Sequence, residues 1–159
     1  MKPKHFSFMM KFIIIALALF GACFYAFMPS MVKFIETYNR FDMHHIFYPW
    51  SIVILLTAIP CYAVLVLAWL MAESVKKETQ FSHLNAARLK KMAICALADG
   101  GFFFLACVVF WMFGILFPAI IIFSVLILLV AIAFAAVATV LAGMVEKAAV
   151  LQEDSDLTI

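Results

Sequence analysis

Apolar positions fall into four long runs, at about residues 10–28, 50–71, 92–113 and 118–144, and polar positions gather at their ends and joints. At 1.5 Å per residue each run is long enough to cross a hydrocarbon core of about 30 Å as a helix. The pattern predicts an all-α integral membrane protein, a single four-helix domain over residues 1–159. An outer loop at 29–49 and a cytoplasmic loop at 72–91 join the first three helices, and a tight turn precedes the fourth.

Individual residues sharpen these boundaries. Pro29 is expected to end the first helix. Beyond it Met31, Phe34, Ile35, Tyr38 and Phe41 recur at helical spacing among Lys33, Glu36, Arg40 and Asp42. That spacing predicts a short amphipathic segment in the outer interface, followed by an aromatic belt of Phe47, Tyr48 and Trp50. Pro60 is expected to kink the second helix, with Thr57 near enough to satisfy the freed carbonyl. Ser82 is a good N-cap for the third helix, and Pro118 suits the first position of the fourth. The fourth helix should run on to about residue 151. The acidic tail then opposes the helix dipole and should fray.

About five residues join helices three and four, so they must form an antiparallel hairpin. Centring the turn near Leu116 sets Gly100 and Gly101 level with about Ala131 to Ile132. Ala131, Ala135, Ala138 and Ala142 share one face of the fourth helix. Small residues let membrane helices approach closely, so the glycines should seat against that face. A stripe of alanine turned to lipid is the alternative.

Composition narrows the class. The chain is 69% hydrophobic and 13% charged, too apolar for a soluble domain, and its net charge of +2 does not suggest direct nucleic-acid binding. The placement of the charge says more. Lys2, Lys4, Lys11, Lys76, Lys77, Arg88, Lys90, Lys91 and Lys147 would lie on one side, against Lys33 and Arg40 on the other. Nine against two predicts that both termini and the basic loop are cytoplasmic. The lysine-rich start and Phe20-Gly21-Ala22-Cys23 resemble a signal peptide with a lipoprotein cleavage site. Phe20 stands where Leu is usual, and the run is read as a transmembrane helix.

Candidate chemistry is sparse. Cys23, Cys61, Cys95 and Cys107 lie in apolar runs without a C-x-x-C and read as small buried hydrophobes. His44 and His45 are neighbours, which diverge by about 100° on a helix and make no metal site alone. No motif for phosphate binding, zinc hydrolysis or nucleophilic catalysis is present. The chain is therefore expected to be no enzyme and to hold no metal or cofactor. One acid stands out: Asp99 lies about seven residues, or roughly 10 Å, inside the membrane. A carboxylate there is costly unless paired, protonated or wetted. It is a candidate ligand or ion contact, or else a structural partner of Lys11, Ser124 or Thr139. Lys11 can also snorkel away to the interface.

Gln80-Phe81-Ser82, then Leu89-Lys90-Lys91-Met92, and the terminal Asp154-Ser155-Asp156-Leu157-Thr158-Ile159, set among four apolar helices, resemble a bacterial membrane family. The family is a domain of unknown function of about this length, often encoded beside a Cro-like helix-turn-helix regulator. Asp99 and its glycines are not part of that pattern, and the family has no settled activity. The resemblance implies a bacterial inner-membrane protein and offers a partner, the helix-turn-helix regulator. The surface for it would be the basic loop residues Lys76, Lys77, Arg88, Lys90 and Lys91 with the acidic Glu153, Asp154 and Asp156, unless these charges bind each other or anionic lipid headgroups. Two further readings stand beside that one. The first is a receptor, immunity or transport-like protein holding a small molecule, lipid or peptide in the bundle. The second is a homo-oligomeric scaffold.

Overall fold

The computed structural model describes residues 3–39, 44–76, 79, 81–114, 116 and 118–156, and among these the chain is helical apart from short joints. Four helices follow in order: α1 (Pro3–Asn39), α2 (His44–Lys76), α3 (His83–Met112) and α4 (Pro118–Asp156). All four are long and apolar enough to cross a membrane. The core is correspondingly inverted from that of a soluble protein. Its buried positions are mostly small, among them Ala72, Ala86, Ala93, Cys107, Ala135, Ala138, Ala142 and Ala149. Large side chains such as Phe20, Phe27, Met112, Phe113 and Ile122 face outward, where lipid tails solvate them as well as protein would.

Every helix is longer than its apolar run. Pro29 does not end α1, which continues to Asn39 and takes up much of the expected outer loop at 29–49. Proline costs a helix one backbone hydrogen bond and bends it, and need not end it. The expected loop at 72–91 is likewise mostly helix, since α2 runs to Lys76 and α3 starts at His83. Ser82 caps α3, its hydroxyl accepting from the Asn85 backbone N–H at 3.4 Å. At the far end α4 does not fray at 151 but runs to Asp156. The His83 ring, 3.6 Å from the Glu153 carboxylate, holds that end against α3.

The helices pack in chain order. Backbones approach within 8 Å between α1 and α2, α2 and α3, and α3 and α4, and between no other pair among the described residues. The α3–α4 contact is the closest, turning through Gly114, whose φ of +71° is the left-handed region that glycine enters at least cost. Gly100 is the point of tightest approach: a Cβ there would lie 2.7 Å from the Ala131 Cβ. Ala135 and Ala138 pack on Ala93, and Ala142 on Leu89 and Met92. Gly101 has a different role from Gly100, with no neighbouring atom within 4 Å of the place its Cβ would take. One residue further along a helix turns about 100° away from the seam.

At the turn end Trp50 packs inward, its ring 5.0 Å from Phe110 and 6.4 Å from Phe103. Half-buried, it rests against the cluster of Cys107, Phe110 and Leu116. The α1–α2 pair joins polar bonds to close packing, a Cβ at Gly21 falling 3.3 Å from the Tyr62 hydroxyl. Ser7 donates to the Ala72 carbonyl at 2.7 Å, Tyr62 donates to the Ala18 carbonyl at 3.0 Å, and Lys11 pairs with Glu73. Thr57 donates to the Ile54 carbonyl at 2.7 Å, one turn before it, and so does not serve the Leu56 carbonyl that Pro60 frees.

Candidate functional site

Because α1 and α4 do not meet, a groove stays open between them, with α2 and α3 as its floor. It holds a cavity of about 430 Å³, within the 300–1,000 Å³ range of small-molecule sites. Leu17 comes from α1, Cys61 and Val64 from α2, and Val130 and Phe134 from α4. The lining is apolar except for one side chain, Asp99 of α3. Gly100 beside it presses on α4, and this close seam turns the preceding residue toward α2 and the groove.

Asp99 is held on one side only. Its Oδ2 accepts from the Cys61 thiol at 3.4 Å, and thiols are weak donors. Its Oδ1 is buried and meets no donor among the described residues. A buried acceptor without a donor costs about 1–3 kcal/mol, more when charged. Such groups are rare in native interiors and call for an explanation. Carboxyl groups turn readily about χ2, so whichever oxygen faces Cys61, the other is left without a donor.

The three partners considered for Asp99 on sequence are all engaged elsewhere. Lys11 pairs with Glu73 on α2, and its ammonium also sits 4.9 Å over the Trp69 ring. Both residues lie near one end of their helices, where two long polar side chains can meet. Asp99 is further along. Ser124 donates to the Ile121 carbonyl and Thr139 to the Ala135 carbonyl, each at 2.7 Å. These are the local back-bonds that hydroxyls make within helices. The partner that sequence reasoning missed is Cys61. Its signal was depth alone: on an antiparallel α2 and α3 it stands opposite Asp99.

The charged end is arranged differently. Arg88 does not project toward a partner. Its Nη1 donates to Asn85 Oδ1 at 2.8 Å, to the Ser74 hydroxyl at 2.9 Å and to the Leu70 carbonyl at 3.1 Å. Asn85, 2% exposed, donates in turn to the Thr79 carbonyl at 3.2 Å. This clasp ties the end of α2 to the start of α3. Lys90 pairs with Glu146 of α4 at 2.7 Å, and the His83 ring lies 3.6 Å from the Glu153 carboxylate. Lys91 and Asp154 are exposed. Lys76 and Asp156 close α2 and α4, and Lys77 lies outside the described residues. No group of three His, Cys, Asp or Glu able to hold a metal gathers among the described residues.

Residues 35–159 match the family described as Protein of unknown function (DUF2975). That stretch takes in α2, α3 and α4 whole, and with them Asp99, the Arg88 clasp and most of the groove. No curated protein and no solved structure matches the chain. With so much of its length covered, the chain belongs to the DUF2975 family of proteins of unknown function.

Proposed function

We propose that this protein is a non-enzymatic, receptor- or transport-like protein of the bacterial inner membrane that takes a small amphiphile into the groove between α1 and α4. The observation that carries this reading is Asp99, a half-satisfied carboxylate on the wall of an otherwise apolar cavity within the membrane span. Ionisable residues inside a membrane are costly, and where they persist they mark ligand or ion pathways. A structural role would leave its oxygens paired. The nine-to-two charge count supports an orientation with both termini and the clasp in the cytoplasm.

The test is a decyl chain bearing a diazirine and no charge, photolysed with the purified protein in lipid nanodiscs. Labelling should concentrate on Val64, Val130 and Phe134 and fall in Ala96→Phe, which fills the groove. Labels spread evenly over lipid-facing residues such as Phe20 and Ile122, unchanged by Ala96→Phe, would remove the reading.

A second reading, docking of a cytoplasmic partner such as a helix-turn-helix regulator, draws support from the charged end. There the start of α3 and the end of α4 lie side by side through His83 and Glu153, with Lys91 and Asp154 exposed. Retention of the regulator by wild type and its loss with Lys91→Ala and Asp154→Ala together is the expected result. Equal retention by both would discard this surface.

A further inference from the structure

Resting on the groove reading, we infer that the groove selects a lipophilic organic ammonium, a protonated amine on an apolar tail whose N–H donates to the Asp99 carboxylate. The lining decides the tail and the carboxylate decides the head. Leu17, Val64, Val130 and Phe134 offer nothing to a polyol or a sugar, so most of the ligand is hydrocarbon. The one acid in the lining is a carboxyl with an unfilled acceptor oxygen, and in its ionised form it repels anionic heads and is best answered by a cationic donor.

No basic side chain of the described protein supplies that cation, because Lys11 is spent on Glu73 and Trp69, and Arg88, Lys90 and their partners lie at the clasp end. A metal ion is a poor answer. Hard cations require several oxygen ligands, and the groove provides one carboxylate among hydrocarbon and thiols. A protonated amine needs one strong acceptor and tolerates apolar surroundings for the rest of its surface. Cys61 is the natural gatekeeper: its weak bond to Oδ2 holds the carboxylate across the groove without using up its second acceptor.

Competition against the uncharged diazirine probe tests the assignment, using decylamine, decyltrimethylammonium, decanol and decanoate, which share one tail. In the wild-type protein decylamine should displace the label at a concentration about tenfold lower than decanol, a difference of about 1.4 kcal/mol. Decanoate should be the weakest competitor. In Asp99→Asn the amine should fall to the level of the alcohol, and Asp99→Glu should restore part of the difference. Amine and alcohol competing equally in the wild type would overturn the ammonium assignment while leaving the groove as an amphiphile site. Decyltrimethylammonium matching decylamine would overturn the hydrogen bond, since a quaternary head has no N–H. Failure of the probe to label the groove at all would instead remove the underlying reading. The wild-type comparison is decisive even if Asp99→Asn does not fold.

Discussion

About three turns of α3 separate Arg88 from Asp99, and the two charges sit in opposite surroundings. Around Arg88 the donors find Asn85, Ser74 and a backbone carbonyl, and Asn85 passes the network on to Thr79. Around Asp99 there is one weak thiol donor and an oxygen with none. Both groups stand where α2 meets α3, so the difference does not come from depth of packing or from the helices involved. It comes from whether neighbouring residues were supplied to match the charge. A matched network fixes two helices together. An unmatched carboxylate beside a cavity leaves its bonding capacity for something that enters.

Mutations that remove one member of each region should therefore move stability in opposite directions, and unfolding in mixed micelles followed by the native tryptophans reads both. The largest loss is expected for Asn85→Leu. It leaves the Arg88 guanidinium and the Thr79 carbonyl short of partners and should cost about 3 kcal/mol. Gly100→Val comes next. Its side chain would run into Ala131, forcing α3 and α4 apart at a cost of about 2 kcal/mol. Asp99→Leu should act with the other sign, stabilising by about 1 kcal/mol, because it replaces an unmatched acceptor with hydrocarbon at the loss of one weak thiol bond. A clear destabilisation by Asp99→Leu would show that the carboxylate is matched after all, and the contrast would collapse. The smallest effect belongs to Lys90→Ala. Its bond to Glu146 is an exposed pair of the kind that contributes little, and the unfolding midpoint should not measurably move.

The contrast also explains what could be read before the structure. Four membrane-crossing helices and the α3–α4 hairpin were legible because they depend on run length and on a short joint, properties that lie along one dimension of the chain. The same counting brings the glycine pair to within about a residue of Ala131, which Gly100 meets. What counting does not supply is rotation. A helix apolar on every side carries no stripe to say which face meets which neighbour. Gly101 and Gly100 thus looked alike, although only one faces α4. Lys11 suits Asp99 by sequence alone, but its rotation turns it to Glu73. Cys61 passed for filler although it is the one side chain bonded to the central acid. Pro29 differs for another reason: a proline bends a helix at the loss of one hydrogen bond, and whether the helix then stops is not written in that residue.

Packing in chain order has a further meaning for how the molecule comes into being. Each helix needs only the one synthesised just before it, so as every span leaves the insertion machinery its docking surface is already waiting. No early segment has to be kept unpaired until the last one arrives, and the first and last spans never have to find each other. Contacts between near neighbours in sequence close at small entropic cost. An assembly line of this kind leaves its two outermost spans unjoined at the end of synthesis, and the gap between them is a product of the order of manufacture as much as of the side chains that line it.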